Sequence, residues 1–236
     1  MTETSPLTEP KPLKIGMMLY PDFTLLDLAG PQAVLGMHGQ TLLLWKNLDP
    51  IMTDAGVALH PTTTFDACPD DLDILFVPGG FGTDGVMNDP EVIGFLAKAG
   101  KTAKWITSVC SGSLLLGMAG LLDGYKATTH WAFHDVLEAT GATAVKQRVV
   151  HDRNRFTGGG VTSGIDFGLS LLTQLRDEQT AKVAALVIEY DPKPPFETGS
   201  PEKAGKELTD IVMGLVDNLR NSSMSIAKTR RPGASA

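Results

Sequence analysis

Short apolar runs that stop at proline or glycine alternate along this chain with longer stretches whose apolar positions recur at helical spacing. Residues 14–20, Lys-Ile-Gly-Met-Met-Leu-Tyr, form the first run and meet Pro21. A short run without polar alternation reads as a strand buried on both faces. Residues 25–37 predict a helix with Pro31 near its start, and 41–46 predict a second strand. The β-rich stretch 57–64 suggests a small hairpin arm. Residues 73–77 predict a third strand, followed at once by Pro78-Gly79-Gly80, and 91–100 a helix. A strand over 105–109 leads into a helix over 111–122, then a short strand over 126–129 and a helix over 131–139. Residues 145–150 and 155–157 predict a strand pair around the turn 151–154. Helices over 164–174 and 178–190, an extended break at 191–195 and a last helix over 203–219 complete the pattern.

This alternation, with short connections, is that of an α/β protein. It predicts a three-layer sandwich, a mostly parallel central sheet flanked by helices on both faces. Ligands of such sheets bind beyond the carboxyl ends of the strands. Pro78-Gly79-Gly80, Cys110 and Gly158-Gly159-Gly160 all follow predicted strands, so they should converge at one edge. One domain is expected over 13–220, with a disordered tail over 1–12 and a solvated C-terminal tail over 221–236.

Composition narrows the function. The chain has 236 residues, enough for one large α/β domain, and its 42% hydrophobic and 20% charged content is ordinary for a globular protein. A net charge of −7 argues against nucleic-acid binding and against attraction to anionic membranes. No signal-peptide core and no long apolar run are present, and two cysteines make no disulfide framework, so a cytoplasmic protein is expected.

The chemistry concentrates at Trp105-Ile-Thr-Ser-Val-Cys110-Ser-Gly-Ser113. A β-branched run ends at a cysteine, a small-residue turn follows, and a helix begins. That is a nucleophile elbow, with the thiol held above a parallel sheet. Free N–H groups and the partial positive charge of a helix start favour thiolate, so Cys110 is expected to be nucleophilic near neutral pH. Inert packing is the ordinary alternative for a free cysteine. Ser111, Gly112 and Ser113 are too small and polar for a plain core position, and suit a turn that lets backbone approach a ligand.

Other candidates surround it. The N–H groups of Gly79, Gly80 and Ser111 can face a developing negative charge, or merely end a strand. Asp27 lies between leucines; it is either a helix cap or, set against Cys110, a group competing with the thiolate for one proton. Such a pair acts as nucleophile and proton shuttle. His130 either pairs with the cysteine or closes a strand and caps a helix, and with His134 it lacks a third metal ligand. Gly158-Gly159-Gly160 lacks the features of a phosphate loop and reads as close backbone packing. Trp131 and Phe81 are candidate pocket aromatics.

Pro78-Gly-Gly80, Val109-Cys-Ser-Gly112 and Ala127-Thr-Thr-His130 together resemble the DJ-1/PfpI superfamily, over about residues 14–199. Within it the chain looks most like the isocyanide hydratases. That likeness rests on Leu26-Asp-Leu-Ala-Gly-Pro31, Thr107-Ser-Val-Cys-Ser-Gly-Ser113, Ala127-Thr-Thr-His-Trp-Ala132, Thr157-Gly-Gly-Gly-Val-Thr-Ser-Gly-Ile-Asp166 and Glu189-Tyr-Asp-Pro-Lys-Pro-Pro-Phe196. The resemblance implies a class I glutamine-amidotransferase-like, flavodoxin-like fold and a homodimer. It implies hydration of isocyanides to N-substituted formamides by Cys110 and Asp27 through a thioimidate, without metal or cofactor. Ser111 stands where those hydratases carry threonine and keeps the hydroxyl. Asp27 stands where the DJ-1 branch has glutamate, which disfavours a glyoxalase or deglycase role. A ligand- or redox-sensing module is the other alternative, since similar domains form the ligand-binding half of AraC-type regulators. The 37 residues after Gly199 are too few for the DNA-binding region of about a hundred residues that those carry.

Overall fold

In the computed structural model, which describes residues 11–230, the apolar runs become a seven-stranded sheet. Nearly all of the expected N-terminal tail, and residues 231–236 of the C-terminal one, lie outside the described residues. The chain runs β1 (Leu13–Met18), α1 (Leu25–Leu35), a 3-10 turn (Gly36–His38), β2 (Gly39–Trp45), β3 (Ile51–Met52), β4 (Ala58–Leu59), β5 (Thr63–Thr64) and β6 (Ile74–Val77). It continues through α2 (Thr83–Met87), α3 (Pro90–Ala99), β7 (Trp105–Val109), α4 (Gly112–Met118), β8 (Lys126–Ala127), a 3-10 turn (Trp131–Phe133), α5 (His134–Ala139) and β9 (Thr143–Ala144). It closes with β10 (Val149–Asp152), β11 (Arg155–Gly158), α6 (Ser163–Leu175), α7 (Glu178–Val187) and α8 (Pro201–Arg230).

The strand order is β10-β11-β7-β6-β1-β2-β5, with β10 antiparallel to β11 and the other neighbours parallel. Helices α1, α6 and α7 pack together as one layer, while α2, α3, α4, α5 and α8 form the other. The central strands β1, β6 and β7 are mostly buried because both faces of the sheet are covered. Ile15 and Met17 of β1, all of β6, and Ile106 and Val109 of β7 are buried. Phe167 of α6 stacks obliquely on Phe76 and Phe156, each ring centre 5.7 Å away, and locks that helix to the sheet. Burying each such ring contributes roughly 2 kcal/mol. Helix α1 lies close along α6 because Gly164 faces Pro31: a Cβ there would stand 2.8 Å from the proline Cδ.

Several local expectations change. The stretch 57–64 is no hairpin: β4 pairs with β3, which the sequence did not announce, and β5 joins the main sheet as its edge. Helix α4 ends at Met118 rather than 122, before Gly120 in a left-handed turn, φ +73°. Helix α2 was not foreseen. The last helix does not give way to a tail at 221; it breaks at Gly205 (φ +78°) and then runs to Arg230. Ser223 and Ala227 are buried there, so the Ser/Ala-rich segment packs on the domain.

In the parallel register Val77 faces Ser108 and Val109 faces Gly158. The residues that follow these strands, Pro78, Cys110 and Gly159, therefore emerge at one edge of the sheet. The loop after β1 brings α1 to the same edge.

Candidate active site

Cys110 occupies the bend between β7 and α4 with φ +57°, a left-handed conformation that costs a non-glycine residue about 1 kcal/mol or more. Four hydrogen bonds hold it there. Its N–H reaches the carbonyls of Gly158 (3.1 Å) and Gly159 (2.7 Å). Its carbonyl accepts from the hydroxyls of Thr129 (3.0 Å) and Ser113 (3.2 Å). The glycine triplet thus backs the elbow rather than cradling a phosphate.

Asp27, from the first turn of α1, is fully buried. It does not cap that helix. Thr24 is the cap residue, and Asp54 reaches over to take the Thr24 hydroxyl (2.7 Å) and the Leu25 N–H (3.4 Å). Asp27 Oδ2 accepts the Gly79 N–H at 2.8 Å, while Oδ1 makes no well-aligned hydrogen bond. The carboxyl nevertheless lies close enough to the Cys110 thiol to couple with it. Burial raises the carboxyl to about 7, against the pull of the Gly79 N–H and the thiol; Asp54 adds to the rise.

The thiol does not behave as the helix start alone would suggest. Burial, and then the Asp27 charge, push Cys110 well above its ordinary value; the Ser111 N–H and hydroxyl oppose this and lose. Helix α4 is short and the thiol is buried, so desolvation outweighs the N-terminal field. Cys110 and Asp27 form a pair competing for protons, and Cys110 is not a standing thiolate.

Gly79 and Gly80 also differ from expectation. Their N–H groups are not turned to an incoming anion: one holds Asp27, and the other donates to Ser111 Oγ at 3.1 Å. Gly79 must lack a side chain, because a Cβ would lie 2.5 Å from the Ser111 nitrogen and 2.8 Å from the Cys110 Cβ. Ser111 is buried, and its hydroxyl also meets Thr83 Oγ1 at 2.8 Å. Thr83 opens α2 in a stretch of common composition, Phe81-Gly-Thr-Asp-Gly85, and no motif marks it.

His130 is not the cysteine's partner. Its Nδ1 accepts the Ala132 N–H at 3.3 Å, capping the 3-10 turn, and its electrostatic neighbour is His134. Burial lowers it to about 4, so the ring is neutral at physiological pH. His130 and Trp131 line a cavity of about 890 Å³, together with His134, Gly160, Val161 and Phe196. Cys110 does not line it, but Thr129 and Gly159 do, and both bond the cysteine backbone. The cavity therefore abuts the back of the elbow. Phe81 is exposed and lies outside it. Among the described residues no three His, Cys, Asp or Glu side chains are grouped as a metal site requires, and no helix is long and apolar enough to cross a membrane.

Comparison with known proteins agrees with this architecture. Residues 13–174 match the DJ-1/PfpI family, and the chain belongs to it. It is 48% identical to the isonitrile hydratase of Pseudomonas putida over 200 residues, 84% of this chain and 87% of that enzyme. It is 32% identical to the HTH-type transcriptional regulator GbdR of Pseudomonas aeruginosa, over 81% of this chain but only 55% of the regulator. The crystal structure of a ThiJ/PfpI family protein from Pseudomonas syringae superposes with a TM-score of 0.90 at 45% identity, covering 96% of this chain and 97% of that one.

Proposed function

We propose that this chain is an isocyanide (isonitrile) hydratase, a lyase that converts R–N≡C and water into an N-substituted formamide. The observation that carries the reading is the buried Asp27 carboxyl, raised to about 7 and set against the Cys110 thiol. The terminal carbon of an isocyanide must receive a nucleophile and a proton. A pair that shares one proton near neutral pH supplies both. The similarity to an isonitrile hydratase over most of both chains supports the same reaction.

In this reading the Cys110 S–H proton passes to Asp27 as sulfur attacks the terminal carbon. Asp27 then delivers it to that carbon, leaving the thioimidate R–N=CH–S–Cys110. Water adds to the same carbon: Asp27 takes one of its protons as base and passes it to the nitrogen, giving R–NH–CH(OH)–S–Cys110 with the second water proton still on oxygen. Collapse to R–NH–CHO breaks the C–S bond, and sulfur leaves with a proton returned through Asp27. The Gly79 N–H keeps Oδ2 in place, so Oδ1 is the oxygen that works. No cofactor enters these steps. A homodimer is the assembly this reading expects, and analytical ultracentrifugation tests it.

The test is formamide formation from an aryl isocyanide, followed by absorbance, with Cys110→Ala and Asp27→Asn alongside. Turnover by the wild type and its loss in both variants supports the assignment. Consumption of methylglyoxal without formamide formation would replace it with a glyoxalase. Silence toward both, with selective peroxide modification of Cys110, would favour a sensing module.

A further inference from the structure

The mechanism above leaves a buried hydroxyl unused. Thr83 is inaccessible to solvent, and its one proton goes to the Gly80 carbonyl at 2.6 Å. At the Ser111 Oγ, 2.8 Å away, Thr83 Oγ1 is therefore the acceptor and Ser111 the donor. Tyr20 closes the far side: its hydroxyl donates to the Pro78 carbonyl at 3.0 Å and lies 3.2 Å from Thr83 Oγ1. The Ser111 hydroxyl, on the residue next to Cys110, also favours the ionised sulfur. Its single proton thus has two acceptors. One is a neutral oxygen. The other is weak as a thiol and strong as a thiolate.

We propose that Thr83 is a positioning residue that holds the Ser111 proton while Cys110 is a thiol and yields it to the sulfur once the thiol proton has moved to Asp27. This rests on Cys110 being the nucleophile. The balance is simple: one proton moves from sulfur to the Asp27 carboxylate, and the Ser111 hydroxyl rotates without losing its own. The titratable groups facing the sulfur are Asp27 from α1 and Tyr20 beyond β1, and Asp54 acts on Asp27 from the β3–β4 turn. Removing the Thr83 oxygen takes a hydrogen bond from the thiol state and none from the thiolate state, so ionisation becomes easier.

The experiment is the pH dependence of Cys110 alkylation by iodoacetamide on the full chain, read by mass spectrometry of the Cys110 peptide so that Cys68 does not contribute. Thr83→Val should move the midpoint down by about half to one pH unit, the equivalent of one hydrogen bond. Thr83→Ser should restore the wild-type midpoint. Ser111→Ala should move it up, and adding Thr83→Val to Ser111→Ala should do nothing more. A folded Thr83→Val with its midpoint within about 0.2 units of wild type overturns the proposal, as does a shift that survives in the Ser111→Ala background. Should Thr83→Val not fold, an unmoved midpoint in Ser111→Ala overturns it equally. Alkylation requires no isocyanide, so failure of the hydratase reading shows separately, as absent formamide.

Discussion

Replacing Asp27 by asparagine should abolish turnover and, above neutral pH, make the protein more stable. The side chain keeps its shape, and the amide oxygen can still accept the Gly79 N–H that Oδ2 accepts now at 2.8 Å. What disappears is a buried negative charge. Burial lifts the carboxyl from 3.8 to about 7. The acid is thus held protonated in the fold at pH values where the unfolded chain has ionised it. Its contribution to stability is whole below 3.8 and is lost as pH climbs through about 7. Three pH units at about 1.4 kcal/mol each make the ionised carboxylate cost folding about 4 kcal/mol above pH 8. Between pH 5 and pH 8.5 the wild type should lose roughly 2–3 kcal/mol that Asp27→Asn retains. Urea unfolding of both proteins at the two pH values measures this, and groups common to both cancel in the difference. A gap that does not widen with pH refutes the claim that this carboxyl is ionised against its burial. The loss of turnover, about a hundredfold or more, is the other half of the outcome, because the amide can carry no proton to carbon.

Other expectations rest on neighbouring contacts. The wild-type kcat/KM should rise through about pH 7 as the Asp27–Cys110 pair loses its first proton, and fall only where the second leaves; a flat profile from pH 5 to 9 contradicts the shared proton. Gly79→Ala should be inactive and destabilised by roughly 2 kcal/mol or more in chemical unfolding, because its Cβ would sit 2.5 Å from the Ser111 nitrogen. His130→Asn should keep activity within about threefold and leave the pH profile unmoved, since a ring held near 4 titrates below the working range. Trp131→Ala should raise KM for an aryl isocyanide about tenfold with little change in kcat if the cavity it lines binds the substituent; unchanged KM and kcat/KM would place the substituent elsewhere.

The sheet was readable because its central strands are buried on both faces and so carry short, mostly apolar runs that end at proline, glycine or cysteine; β1, β6 and β7 lie within a residue or two of where 14–20, 73–77 and 105–109 put them. Short elements carry too few positions for a period. Helix α2 contains Gly85 and follows Gly82, and β3 is two residues long. Past Leu219 the composition is that of a tail, yet Ser223 and Ala227, four residues apart, form a small buried stripe that a polarity reading does not see. At the site, Cys110 announces itself by its flanks, and Asp27 by an acid between leucines. Thr83 and Asp54 act through hydrogen bonds to distant segments, and nothing local in their sequence marks them.

The corrected role of the two glycines bears on why the site is built as it is. Open N–H donors would suit an intermediate whose charge settles on oxygen. In the proposed hydration the isocyanide carbon instead takes up a proton, so stabilised negative charge is of less use there than a placed acid. Gly79 and Gly80 direct their N–H groups at Asp27 and Ser111, fixing the two side chains to which the proposed mechanism gives the sulfur's proton chemistry. The same burial that lifts the carboxyl toward 7 also lifts the thiol, so neither group empties the other of its proton at neutral pH. In water Asp27 would titrate near its ordinary 3.8 and would be a poor base for the thiol proton near neutral pH. The burial of the pair is therefore part of the proposed chemistry, and the instability that Asp27 brings at high pH follows from it.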